Sequence, residues 1–227
     1  MKLGLVLPSF SLDAEAALGL ADAAARAGID GVFAYDHLWP MKDRTRPALA
    51  PFPLLGAIAS EHHSLVVGPL VARIGLVADE LLVAQLRALT AISPGRVIAA
   101  MGTGDKLSAE ENLAYGVDFA PAAERRASLE WCATELGREG IEVWIGGGAA
   151  PTIELAERLG VAINLWQAAP EKVAEFAARG PVTWAGTLPE DNAVARVLLR
   201  DIERAGASWA VAGGIANPEH LLDIVRG

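Results

Sequence analysis

Residues 142–187 read EVWIGGGAAPTIELAERLGVAINLWQAAPEKVAEFAARGPVTWAGT, and their rhythm decides the fold. Glu142-Val-Trp-Ile145 is a short apolar run closed by three glycines. An amphipathic run, Pro151 to Leu159, follows and reads as a helix. Val161 to Trp166 is the next strand, Pro170 to Arg179 the next helix, and Val182-Thr-Trp-Ala185 a further strand. Short apolar runs that alternate with longer amphipathic ones are the signature of β-then-α units.

The alternation extends outward in both directions. Toward the N-terminus, Leu3-Gly-Leu-Val-Leu7 is closed by Pro8 and suits a strand buried on both faces. Asp13 to Ala27 is Ala-rich, lacks an interior proline and stops at Gly28, which predicts a helix. Gly31-Val-Phe-Ala-Tyr35 is the second strand, with a helix over Phe52 to Ser60. Ser64 to Val71 is the third, with a helix over Asp79 to Ile92. After a Ser93-Pro94-Gly95 turn comes the fourth strand, Val97 to Met101, then a long loop and a helix over Pro121 to Gly137. Toward the C-terminus, a helix over Pro189 to Ala205 precedes strand Ser208 to Ala212 and a last helix over Pro218 to Val225. Eight such units imply right-handed crossovers and a parallel sheet. With no element left over, they favour an α/β chain closed into a (β/α)8 TIM barrel, one compact domain over residues 1–227. An open doubly wound sheet is the rival, although six strands would be its more usual count.

Composition narrows the function classes. The 227 residues are 52% hydrophobic and 21% charged, a globular balance. The net charge of −9 repels phosphodiester backbones and speaks against nucleic-acid partners, but not against one phosphate held by backbone donors. Lys2 precedes only a short apolar run, and charged residues break the most apolar region, Gly68 to Ile92, so neither a signal peptide nor a membrane span is read. The expectation is a soluble, cytoplasmic protein acting on a small molecule. Cys132, the lone cysteine, reads as a small buried residue.

In a β/α barrel, chemistry belongs at the C-terminal strand ends. Those positions hold Pro8-Ser-Phe10, Asp36-His-Leu-Trp39, Gly68-Pro-Leu-Val71 with Arg73 following, and Gly102-Thr-Gly-Asp105 with Glu110 and Glu111 further on. Gly146-Gly-Gly148, Asn164-Leu-Trp-Gln167, Gly186-Thr187 and Gly213-Gly214 complete the set. Asp36-His37 is the most informative pair: an imidazole moves a proton near neutral pH, and a carboxylate beside it binds a ligand N–H or orients the ring. The plainer alternative is a turn cap and a solvated loop histidine. Gly146 to Gly148, before a helix, resembles an anion cradle, and Gly213-Gly214 resembles a second; each also fits an ordinary glycine-rich loop. Asp105 is a candidate general acid, or else a turn residue. Trp39 and Trp166 are candidates to wall a planar substrate, whereas Trp184 reads as core. His62 and His63 read as structural or solvated. No cluster has metal-ligand spacing, so no metal is expected.

At these residues the sequence resembles the luciferase-like monooxygenase family, especially its F420-dependent oxidoreductases. The segments that carry the likeness are Leu3-Gly-Leu-Val-Leu-Pro8, Val32-Phe-Ala-Tyr-Asp-His-Leu38, Leu65-Val-Val-Gly68 with Ala84 through Arg96, Ala100-Met-Gly-Thr-Gly-Asp105 and Val143-Trp-Ile-Gly-Gly-Gly148. The resemblance implies a flavin-like ring in the barrel mouth, contacted by Asp36, with His37 serving acid/base chemistry. It implies a non-proline cis peptide at Leu70–Val71 behind the ring, close approach by Gly102, Thr103 and Gly104, and a phosphate on Gly146, Gly147 and Gly148. Asp105 stands where the family carries Glu, one methylene longer. The family's late insertion over the cofactor is missing, and homodimers are common in the family.

The resulting expectation is a coenzyme F420-dependent oxidoreductase that moves a hydride between the deazaflavin and a small organic substrate, with FMN as the alternative cofactor. A flavin-binding protein without turnover is the second reading. A phosphate-binding barrel isomerase or lyase is the third, weakened by the lack of a lysine at a strand end.

Overall fold

The computed structural model describes residues 1–40 and 43–227. In chain order the elements are β1 (Lys2–Val6), α1 (Glu15–Ala27), β2 (Gly31–Ala34), α2 (Pro51–Glu61), β3 (Val66–Pro69), β4 (Ala72–Arg73), α3 (Asp79–Ile92) and β5 (Ile98–Gly102). Then follow α4 (Ala109–Ala114), α5 (Ala122–Arg138), β6 (Glu142–Gly146), α6 (Ala150–Leu159), β7 (Ala162–Trp166) and α7 (Pro170–Ala177). The last are β8 (Val182–Thr187), α8 (Asn192–Arg204), β9 (Trp209–Gly213) and α9 (Pro218–Arg226).

The strands form one sheet in the order β3-β2-β1-β9-β8-β7-β6-β5-β4, and neighbours pair in parallel. Nine segments stand where the sequence predicts eight strands, because the third strand, Ser64 to Val71, is interrupted. Its first part, β3, pairs with β2, and its continuation, β4, pairs with β5. The intervening Leu70–Val71 peptide bond is cis. A parallel bridge from Val67 to Val97 joins β3 to the residue before β5 and closes the ring. The open-sheet alternative is thereby set aside. The long loop expected after the fourth strand contains a 3-10 turn, Lys106–Ser108, and the short helix α4. Six residues are too few for helical periodicity to declare itself.

Alternation along the strands separates two apolar layers. One set of side chains, including Leu5, Val67, Ile145, Ile163, Leu165, Val182 and Trp184, packs beneath the helices. The other fills the barrel interior with Val6, Phe33, Ile98, Ala100, Trp144, Ala162, Ala185, Trp209 and Val211. Phe33, Trp144 and Trp209 contact one another at centroid distances of 5.4, 5.8 and 5.7 Å and plug the barrel. Helix boundaries follow local chemistry. Gly28, with φ 81°, caps α1, and the Asp191 carboxylate accepts from the N–H groups of Ala193 and Val194 to start α8. Cys132 is buried, and burial pushes its thiol up to about 12, as suits a packing residue.

The closing seam depends on one small residue. A Cβ at Gly68 would collide with the backbone carbonyl oxygen of Ile98, so β3 approaches β5 this closely only with glycine there. Gly68→Ala should lower stability in urea melts by about 2–3 kcal/mol, because backbone must shift to relieve the overlap. Gly19, exposed in α1 with nothing near an added Cβ, supplies the control: Gly19→Ala should raise stability by about 0.5–1 kcal/mol. Equal effects of the two substitutions would refute this account of the seam.

Candidate functional site

The strand ends enclose one cavity of about 650 Å³, within the roughly 300–1,000 Å³ common for small-molecule sites. Its wall gathers many of the strand-end residues named from the sequence: Asp36 and His37 after β2, and Leu70 and Val71 between β3 and β4. Gly102, Thr103, Gly104 and Asp105 come from the end of β5, Gly146, Gly147 and Gly148 from the end of β6, and Trp166 from β7. Phe10, Tyr35, Arg73, Ser108, Thr152 and Asn164 join them.

Val71 makes the shelf at the bottom. An added Cβ would lie 2.7 Å from its Cγ2 at Gly102 and 2.8 Å from its Cγ1 at Gly146. These two glycines are therefore needed to seat a side chain of the protein itself. Gly148 differs: an added Cβ there would meet nothing, so space remains above its backbone. The loop runs straight into α6, whose start has no side-chain cap. Pro151 has no N–H, and the amides of Thr152 and Ile153 donate to Ala149 O at 2.9 and 3.1 Å, so the N–H groups left for whatever lies in the cavity are those of Gly148 and Ala149, which line it. On the far side, Phe10 stacks on Tyr35 at 5.5 Å, and Tyr35 meets Trp166 edge-on at 6.1 Å. Burial pushes the Tyr35 hydroxyl up to about 12, so it stays a neutral phenol.

The charged groups form a short chain. His37 Nδ1 lies 2.9 Å from Glu111 Oε2, and the other Glu111 oxygen accepts the Leu38 N–H at 3.1 Å. Arg73 Nη1 donates to the same Oε2 at 2.5 Å. Glu111 and Arg73 are only 2% and 4% exposed, whereas His37 is 25% exposed. Burial alone would raise the Glu111 carboxyl. The hydrogen bond and charge of His37, together with the Arg73 guanidinium, outweigh it and hold the group below the usual carboxylate range. An ionised Glu111 accepts from Nδ1–H, which fixes the ring and leaves Nε2 as the nitrogen not engaged by Glu111. Asp36 takes the opposite course. Its Oδ2 accepts the Arg73 backbone N–H at 2.8 Å, yet burial outweighs that bond and the nearby cations and raises its carboxyl.

Two expectations need correction. Asp105 lines the cavity, but its carboxylate is engaged as a turn cap: Oδ1 accepts from Leu107 N at 2.9 Å, Ser108 N at 3.2 Å and Ser108 Oγ at 3.2 Å. The acid that meets His37 is Glu111, on the unforeseen helix α4. Trp39 is not part of the cavity wall; its ring faces the Arg44 guanidinium at 5.8 Å. Gly213 and Gly214 also stand outside the cavity, and the start of α9 is capped by the Asn217 side chain. Trp184 is buried and donates from Nε1 to Ala168 O at 2.9 Å, as a core residue should. Among the described residues no group of three or more His, Cys, Asp or Glu is arranged to hold a metal ion, and no helix is long and apolar enough to cross a membrane.

No protein-family model matches the chain, and no curated protein matches it. Solved structures match in fold. An F420-dependent secondary alcohol dehydrogenase, in complex with an F420–acetone adduct, superposes with a TM-score of 0.78 at 13% identity, covering 98% of this chain and 96% of that one. A monooxygenase from Streptomyces bottropensis gives 0.78 at 15% identity, covering 98% and 99%. The coenzyme F420-dependent tetrahydromethanopterin reductase of Methanopyrus kandleri gives 0.72 at 12%, covering 98% and 96%. The chain thus has the TIM-barrel fold that its sequence resemblance implies.

The raised Asp36 carboxyl has a measurable consequence. The folded state binds that proton more tightly than the unfolded state, whose value is near the ordinary 3.8, so wild type loses stability as pH rises through the folded value. Asp36→Asn keeps an oxygen for the Arg73 N–H and removes the buried charge. Urea melts should find it more stable than wild type at pH 7, with the margin vanishing below about pH 3.8. A margin that is the same at both pH values would contradict the burial argument.

Proposed function

We propose that the protein is an oxidoreductase that holds coenzyme F420 across the barrel mouth, with FMN as the alternative, and acts on a small organic substrate. The observation that carries this reading is the meeting, in one cavity, of an apolar shelf, an uncapped glycine loop and an oriented imidazole. The residues fit such a group. Leu70 and Val71 offer an apolar support for a planar ring, and Phe10, Tyr35 and Trp166 an aromatic wall. Asp36 offers an acceptor to the ring. Gly148 and Ala149, just before α6, offer backbone donors to a phosphate. The solved structures that share the fold include F420-dependent enzymes and, at a TM-score of 0.63, a Baeyer-Villiger monooxygenase in complex with FMN, which agrees with either choice.

When bound, the deazaflavin would supply a two-electron hydride donor or acceptor. The protein's own part is to manage the proton. Glu111 fixes the His37 ring through Nδ1, and Arg73 keeps Glu111 ionised, so Nε2 is free to take a proton from a substrate hydroxyl and later return it. Thr103 and Gly104 bring backbone close to the cavity beside that imidazole. A carrier without turnover would have no use for a buried acid dedicated to orienting a histidine, which favours the enzyme.

Fluorescence titration of the purified protein against F420 and FMN in parallel tests the cofactor. Saturable binding, tighter for F420, is expected; indifference to both overturns the proposal. With the cofactor in hand, secondary alcohols and ketones are suitable first substrates. His37→Ala should then lower turnover by about 10²–10⁴-fold while shifting the cofactor Kd less than about threefold. Normal turnover by this variant would remove His37 from the mechanism.

A further inference from the structure

The cluster that fills the barrel interior is apolar, and two buried polar side chains stand against it. Along β7, Ala162 joins the interior cluster while Ile163 and Leu165 pack under the helices, so Asn164 and Trp166 point inward with Ala162. Along β8, Ala185 is interior and Val182 and Trp184 are not, so Thr183 also points inward. Asn164 and Thr183 are direct partners in the β7–β8 register. Their neighbours inside the barrel are alanine, valine, leucine, isoleucine or aromatic. A carboxamide and a hydroxyl at 4% and 0% exposure are costly in such surroundings, and an apolar pair would fill the space at no such cost.

The pair is arranged for one purpose. Asn164 Nδ2 donates to Thr183 Oγ1 at 2.9 Å, which fixes the amide and commits its donor side to the protein. The side-chain oxygen of Asn164, Oδ1, has no protein partner among the described residues, whereas its backbone oxygen accepts from Gly147 N. Unlike Ser9 Oγ or Asn112 Oδ1, Asn164 Oδ1 is not sealed inside the fold, and Asn164 lines the cavity whereas Thr183 does not. Asn164 is in register with Gly146, the seat of Val71, so its oxygen stands beside the shelf. The sheet order fixes its relation to the acid/base group. From β2, which Asp36 and His37 follow, β7 is the fourth neighbour through β1, β9 and β8, and again the fourth through the interrupted third strand, β5 and β6. Asn164 therefore stands diametrically across the mouth from His37.

We propose that Asn164, positioned by Thr183, is a ligand-recognition residue whose side-chain oxygen accepts a hydrogen bond from an N–H or O–H on the far edge of the molecule lying on the Val71 shelf. The proposal rests on the cofactor reading above. It gives that ligand a second anchor: the end near His37 reacts, and the end near β7 is read by a neutral acceptor. A flavin-like molecule offers two sources for the donor, the imide N–H of the ring and the hydroxyls of the side chain that leads to the phosphate.

The test is fluorescence titration of wild type, Asn164→Leu, Asn164→Asp and Thr183→Val, with folding checked by thermal melts. The ligands are F420, FMN and the ring-only deazaflavin and flavin that lack the ribityl chain. Asn164→Leu should weaken binding about five- to tenfold, the worth of one neutral hydrogen bond. Asn164→Asp, which keeps an acceptor oxygen, should stay within about threefold of wild type. Thr183→Val should fall between the two. A loss that extends to the ring-only ligands assigns the donor to the ring; a loss confined to F420 and FMN assigns it to the chain. Unchanged binding by Asn164→Leu while wild type binds overturns this assignment alone, and so does a loss in Asn164→Asp as large as in Asn164→Leu. Wild type that binds no ligand overturns the cofactor reading and this assignment with it.

Discussion

The seating of Val71 on two glycines is the constraint on which the rest of the structure depends. The third strand breaks after Pro69 and resumes at Ala72, and between the two parts Val71 turns its methyl groups onto Gly102 and Gly146. A side chain at either glycine would lift Val71 or part the β5–β6 pair, whose register aligns those same two residues. Because Val71 lies there, the cavity has a flat apolar bottom rather than a packed core reaching the rim. Below it Phe33, Trp144 and Trp209 fill the barrel; above it the strand ends are free to carry chemistry. The same interruption lets β4 follow the shelf directly and places Arg73 beside Asp36.

Two buried carboxyls near that shelf are driven in opposite directions by their partners. Glu111 is almost fully enclosed, yet it meets both an imidazole and a guanidinium and stays ionised. Asp36 has one backbone donor, and desolvation prevails. An ionised acid in contact with an imidazole and a more readily protonated carboxyl beside it are thus set apart by their surroundings. The pairing also ties the loop after β2 to α4 through His37, the Leu38 N–H and the neighbouring Arg44–Glu110 ion pair. Asp105, the acid more visible in the sequence, is consumed by the turn that leads into this helix.

The barrel was legible because its signal repeats. Each strand is a short apolar run ending in glycine, proline or a polar residue, and each helix opens or closes on a recognisable residue, as at Gly28, Asp191 and Pro218. The strand-end rule points to Asp36, His37 and Gly146 to Gly148, and the family resemblance to Leu70 and Val71; these residues line one cavity. Glu111 escaped because α4 has six residues and because Glu110 beside it reads as the same solvated acidic pair; only the fold sends one to solvent and the other inward. The local sequence around Asp105 suits a turn: Ser108, three residues on, supplies the N–H and hydroxyl that its carboxylate accepts from. Trp39 was misplaced because proximity to a strand end does not fix the direction of a loop side chain. Asn164 was on the list of strand-end residues, but its importance comes from its cross-strand partner Thr183, which lies 19 positions away in sequence.

The central claim is that these strand ends hold one flat, phosphorylated molecule above Val71. A crystal structure of the protein grown with F420 or FMN tests it most directly. The account predicts the ring against Leu70 and Val71, one edge toward Asp36 and His37, and the phosphate on the amides of Gly148 and Ala149 before α6. Density for the ring outside the barrel mouth, or a phosphate held at the start of another helix, would contradict it.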